Sequence, residues 1–207
     1  IIATLERVME IEPDHPGANH YYIHAVEPSK NPYRALPAAK RLSDLVPASG
    51  HLLHMPSHIH VKTGFWDEAI VQNQKALRSD TNYRARSANH AMQHTYMVHN
   101  AHMLAFTSMM TGREKQALAA ARATWDNVPP EVLEAVGPII DLWMCSVYDV
   151  QKRFGRWDAI LAEPPPPEYL PLTTAIWRAH RAVAYAAKKD FPAAAREQAE
   201  FRKAKAA

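Results

Sequence analysis

The stretch Val61–Leu77 reads VKTGFWDEAIVQNQKAL and decides the fold. It has three parts: the end of one helix, a turn at Gly64, and an aromatic opening a second, alanine-bearing amphipathic helix. Glycine is the residue that stops a helix in a left-handed turn. Apolar residues returning at helical spacing start the next helix. The same form recurs as MMTGREKQALAAARATW at 109–125, QKRFGRWDAILAE at 151–163 and AAKKDFPAAAREQAEF at 186–201. The junctions sit near Gly64, Gly112, Gly155 and Asp190; the last two lie 35 residues apart and the earlier ones further. No segment shows the apolar–polar alternation of a half-buried strand, so the expected class is all-α.

A tetratricopeptide repeat is a helix pair with a period of about 34 residues. On these four stretches the chain resembles the tetratricopeptide-repeat family over most of its length. The opening ATLERVMEIEPDHPGA, at 3–18, resembles the second helix of such a repeat and its proline-containing exit turn. The resemblance implies an α-solenoid of antiparallel helix pairs, read as a single domain over 1–207. A trailing helix covers 1–16. Pairs follow at 17–48 (broken by EPSKNP), 50–80, 86–128, 137–163 and 171–206. Histidine-rich repeats occupy 1–128; the C-terminal repeats occupy 137–207, around a stiff polyproline connector, EPPPPEYLP, at 163–171. A second helix without its first leaves an apolar face open. The expectation is an N-terminal portion preceding Ile1, or a partner covering that face. FRKAKAA at the other end reads as a solvated helix end.

Composition narrows the class. Apolar residues make up 47% and charged residues 22%, which fits a folded globular protein and not a disordered one. The net charge of +3 falls far short of a nucleic-acid-binding stripe. No run of 18 apolar residues exists to span a membrane. The expected setting is soluble, in a bacterial cytoplasm or periplasm. The single cysteine, Cys145, lies in an apolar helical stretch and reads as a buried structural thiol.

The histidines carry the functional signal. Eleven of the 12 fall between His15 and His102. Gly50–Gly64, GHLLHMPSHIHVKTG, holds four of them around Pro56. When first helices are aligned on their turns, His20, His54 and His102 take one position. His24 and His58 take a second, with Phe106 standing where the next histidine would be. Histidines four apart project from the same helix face. His99 precedes His102 by three, His90 and His94 form another pair, and Glu27 follows His24 by three. The family resemblance implies that first helices line the concave surface, which would bring these side chains together across neighbouring helices. Adjacent helix axes lie about 8–10 Å apart. Two adjacent helices can therefore share one ion, giving one site or two neighbouring ones. Pro56 disturbs the ladder between His54 and His58, by a bend or by starting the helix anew.

The expected function is transition-metal binding at His20, His24, His54, His58, His99 and His102. Imidazole suits copper, zinc or iron, and the absence of nearby cysteine argues against a thiolate zinc site. The alternative is a protein-interaction scaffold that binds a peptide or protein partner in its groove, with Tyr21, Tyr22 and Tyr96 available to line it. A further alternative is a metal-dependent hydrolase or oxygenase on the same cluster. His51 and His60 stand open between site and core. His15 reads as a turn residue and His180 as structural. HLLHMPSHI, at 51–59, resembles a segment of uncharacterised bacterial tetratricopeptide proteins, to which no activity attaches. No HExxH, CxxCH or phosphate-cradling glycine loop is present.

Overall fold

The computed structural model describes residues 1–87, 91–126 and 128–206; His90 therefore lies outside the described residues. Among these residues the chain is helices and connections, with no strand. The helices are α1 (Ile2–Ile11), α2 (Pro16–Val26), α3 (Leu36–Leu45), α4 (Gly50–His54), α5 (Pro56–Thr63), α6 (Trp66–Arg84) and α7 (Ala91–Met110). They continue as α8 (Glu114–Asp126), α9 (Pro130–Met144), α10 (Ser146–Arg153), α11 (Trp157–Ala162), α12 (Pro171–Ala187) and α13 (Phe191–Ala206).

The four repeated turns share one hydrogen-bond pattern. Gly64, Gly112 and Gly155 adopt φ of 83°, 75° and 66°, and Lys189 does the same at 65°. In each case the next amide donates back to a carbonyl five residues earlier. Phe65 reaches His60 at 2.8 Å, Arg113 reaches Ser108 at 2.8 Å, Arg156 reaches Gln151 at 2.8 Å and Asp190 reaches Tyr185 at 2.9 Å. This is the Schellman closure of a helix, which needs one residue in the left-handed region. The residue after the turn then begins the second helix: the carbonyls of Phe65, Arg113, Arg156 and Asp190 accept from Ala69, Ala117, Ile160 and Ala194 at 2.9–3.1 Å. Ala69, Ala117 and Ile160 are fully buried, so the second helices meet the first through small or branched apolar side chains. The helix-turn-helix pairs read from the sequence are α5–α6, α7–α8, α10–α11 and α12–α13.

The unit expected over 137–163 differs in extent. Pro130 occupies the first turn of α9, where its missing N–H costs nothing, and α9 continues through Pro138 to Met144. The pair that turns at Gly155 is α10–α11 alone, and α9 is an added helix packed against α7 and α12. Asp141 on α9 accepts from the amides of Leu172 at 2.8 Å and Thr173 at 2.9 Å, which fixes the start of α12. EPSKNP leads into a 3-10 turn at Pro32–Ala35.

The core is divided along the chain, as in a stack of repeats. One cluster joins Tyr22, Ile23, Val26, Leu42, Met55 and Ile59; a second joins Ile70, Leu104, Ala117, Ala121 and Val147; a third joins Val98, Leu133, Ile140, Met144 and Leu170. Ile2, Leu5 and Met9 of α1 pack against the first. Cys145 is buried, its thiol pushed up to about 12 chiefly by desolvation, and it donates to the Leu142 carbonyl. It is a core thiol. No helix among the described residues is long and apolar enough to cross a membrane.

Candidate metal centre

Three consecutive repeats supply the histidines. α2 carries His20 and His24, α4 carries His51 and His54, α5 carries His58, and α7 carries His99 and His102. Local signals set each helix in place. His15 caps α2 by accepting from the Ala18 amide at 3.2 Å, so this turn residue has a definite task. Ser49 caps α4 through the Leu52 amide. Pro56 cannot donate a backbone hydrogen bond, so α4 ends at His54 and α5 begins at Pro56 with Met55 between them. The break does not separate the histidines.

Two groups of three form. His20, His24 and His51 make an outer triad, and His54, His58 and His99 an inner one; within each, the three ligand atoms lie within 4.8 Å of one another. In the outer triad, His20 Nε2 lies 3.1 Å from both His24 Nε2 and His51 Nε2. In the inner triad, His58 Nε2 lies 2.8 Å from His54 Nε2 and 3.3 Å from His99 Nε2. Nitrogens bound to one tetrahedral zinc at about 2.0–2.1 Å would sit about 3.3 Å from each other, so these spacings fit a shared ion.

Two rings of the inner triad have Nδ1 partners, while His99 Nδ1 is buried without one. Asn73 donates its amide Nδ2 to the Ala69 carbonyl at 2.8 Å, which turns Oδ1 toward His54. His54 Nδ1–H therefore donates to Asn73 Oδ1, at 2.7 Å. His58 Nδ1–H donates to Glu27 Oε1 at 3.0 Å. Burial raises the Glu27 carboxyl, but the hydrogen bond from His58 together with the positive charge of His58, Lys62 and His24 outweighs it, and the net shift is downward. Glu27 is thus an acceptor. With both Nδ1 atoms engaged, the two Nε2 atoms face each other across 2.8 Å. Two acceptors repel unless a cation, a proton or a metal ion, lies between them.

The environment disfavours a proton on His54 and His99. His54 is fully buried, and desolvation, then repulsion from His58 and His99, holds it well below its ordinary 6.5. His99 falls to about 3 from the same two causes, burial first. In the outer triad His20 and His51 fall to about 4, again through desolvation and then neighbouring imidazoles. His24 is lowered for the same reasons, opposed by Glu27. Neutral imidazole is the ligating form. Aromatic rings hold the orientation: Tyr21 stacks on His20 at 4.9 Å, Tyr96 lies over His51 at 4.5 Å and Trp143 over His99 at 4.8 Å between ring centroids.

The grouping differs from the repeat alignment in two respects. His51, left open by sequence, completes the outer triad. It sits three residues before His54 on the same face of α4, with His20 of α2 at 5.0 Å and Tyr96 of α7 at 4.5 Å between ring centroids. His102 stands outside both triads. Its ring lies 6.3 Å from His99, and it borders a cavity of about 50 Å³ with Phe106, Ser146 and Asp149. Burial lowers it to about 4, with Asp149 opposing. His60 is also outside both triads. His180 is buried, with both ring nitrogens engaged by the Ile176 carbonyl and Asp149. Asn73 carried no sequence signal as an orienting residue; its register to His54 exists only across the α4–α6 contact.

No protein-family model matches the sequence, and no curated protein matches it. Solved structures do match. One is YrrB, described as a TPR protein with an unusual peptide-binding site. It aligns over 99% of this chain and 93% of its own, with a TM-score of 0.59 and 13% sequence identity. The chain has the tetratricopeptide-repeat fold. In that TPR frame the histidines of the two triads lie on α2, α4, α5 and α7.

Proposed function

We propose that this chain is a tetratricopeptide-type binding scaffold whose histidine face holds a transition-metal ion at His54, His58 and His99. The likeness to YrrB supports the scaffold reading and does not bear on metal. The side-chain geometry supports the metal. Its single carrying observation is the convergence of three ring nitrogens, with His58 Nε2 2.8 Å from His54 Nε2 and 3.3 Å from His99 Nε2, while Asn73 and Glu27 hold the Nδ1 atoms of His54 and His58. Hydrogen-bonded Nδ1 atoms are the usual outer support of metal-binding histidines. Zinc, copper and iron all suit three imidazoles.

The test is elemental analysis of tag-free protein, purified without a metal column and dialysed after metal loading, beside a His54→Ala/His58→Ala variant. Metal retained by the parent and lost in the variant is expected. A ligand that binds the folded chain alone also raises its melting temperature, and chelator reverses the gain. The absence of both metal retention and a chelator effect would overturn the metal reading. A second reading then stands: capture of a peptide on the same face. The peptide-binding site in the description of YrrB favours it, as do Tyr21 and Tyr96, which are 61% and 39% exposed beside the histidines.

A further inference from the structure

We propose that the two triads form one binuclear centre that takes two copper ions sharing a small bridging ligand such as hydroxide. This rests on the metal reading and extends it.

The triads adjoin. The His24 and His58 rings are 6.1 Å apart and the His51 and His54 rings 6.2 Å, between centroids. Within the triads five of the six ring pairs stand 4.7–5.4 Å apart and the sixth, His24–His51, 6.4 Å, so the spacing across the boundary is only slightly wider. The six imidazoles therefore form one continuous patch with two foci. Two-metal centres hold their ions about 3.5–4 Å apart, a separation that adjoining triads with rings this close can supply.

The donor set selects the metal. Each focus offers three imidazole nitrogens and neither a thiolate nor a carboxylate. Magnesium, calcium and manganese prefer oxygen, and structural zinc is commonly closed with cysteine. Copper(II) stands at the top of the affinity order for nitrogen sites. Three donors per ion leave a coordination position open on each. Charge argues for an anionic bridge: two divalent ions bring four positive charges, and Glu27 is the carboxylate hydrogen-bonded to the cluster. Access is from one side, since His24 is exposed and His54 is fully buried. The outer focus is open to solvent and small anions; the inner one is reached past it.

The test uses the full chain, tag-free, loaded with copper(II) in air and desalted. Copper per chain is measured by elemental analysis, and electron paramagnetic resonance counts the spins before and after acid denaturation. Two coppers per chain are expected, with most of the spin intensity missing in the folded protein and recovered in acid, because a shared hydroxide couples the two unpaired electrons. His24→Ala, on the exposed side of α2, should bind one copper with its full spin. Two coppers with full, uncoupled spin in the folded parent would overturn the binuclear centre and leave two separate sites. One copper in the parent would also overturn it, with the single-ion reading intact. No bound copper, together with no bound zinc or iron, would remove both.

Discussion

Replacing Asn73 by alanine should weaken metal binding without touching a ligand. Asn73 is fully buried, and its amide both accepts from His54 Nδ1 at 2.7 Å and donates to the Ala69 carbonyl at 2.8 Å. In the variant the buried His54 N–H has lost its nearer acceptor and keeps only Ser57 Oγ at 3.4 Å, which costs about 1–3 kcal/mol. For a chain of this size each kcal/mol moves the melting temperature by about 2–4 °C, so the metal-free variant should melt about 2–12 °C lower. The second effect is specific. His54 is released from the tautomer that aims Nε2 into the triad, and loss of such outer support typically weakens affinity by about 10–100-fold. That equals about 1.4–2.7 kcal/mol, so the melting gain on adding zinc should shrink by about 3–11 °C at the same metal concentration. Paired melts of parent and variant, with and without zinc, separate the two effects. A variant that melts lower but gains as much from zinc as the parent would refute the tautomer argument.

Acid should destabilise the fold. His54, His99 and His102 have folded pKa values below the ordinary 6.5, with His99 at about 3 and His102 at about 4. Below pH 6.5 the unfolded chain binds protons that the folded chain refuses. Stability is therefore complete above that pH and is lost as pH falls, by up to about 1.4 kcal/mol per pH unit for each group. Melts at pH 7.5, 6 and 5 check this, and flat or rising stability on acidification would contradict it. Gly50→Ala would place Cβ 1.9 Å from Asp80 Oδ1, whose carboxyl is held by Asn100 at 2.8 Å. It should cost about 1–3 kcal/mol by overpacking and, by shifting α4, weaken metal binding through His51 and His54. Its control is Gly64→Ala, where nothing lies within 4 Å: the left-handed φ should cost about 1–2 kcal/mol with metal affinity unchanged. Equal effects of the two on affinity would show that α4 does not position the site. Asp141→Ala strips two amide acceptors from the start of α12 and should cost about 1–2 kcal/mol in a denaturant melt, again with metal affinity unchanged.

The fold was readable because its decisive signal is local. A glycine turn followed by an aromatic and alanines is contained within about one repeat, and Gly64, Gly112 and Gly155 all take the left-handed conformation their sequence context demands. The fourth junction shows the limit of that signal: Lys189 adopts the same conformation without being glycine, so the turn was found through Asp190 and Phe191. α9 was harder: the unit read over 137–163 missed its start at Pro130, the helix runs on through Pro138, and it packs against α7 and α12. The His20/His24 and His54/His58 pairs were legible from their spacing of four. Their partners were not. Whether His51 or His102 completes a group depends on the angle between α4 and its neighbours, set by Ser49, Met55 and Pro56 and by packing across repeats. Asn73 and Trp143 reach the site from α6 and α9, at sequence distances no periodic pattern encodes.

X-ray absorption at the metal edge of the zinc-loaded, tag-free protein tests the central claim most directly. The account predicts imidazole nitrogens at about 2.0–2.1 Å, with the outer-shell scattering of rings, in the parent and their loss in the His54→Ala/His58→Ala variant. An oxygen-only shell, or the same imidazole shell in parent and variant, would contradict it.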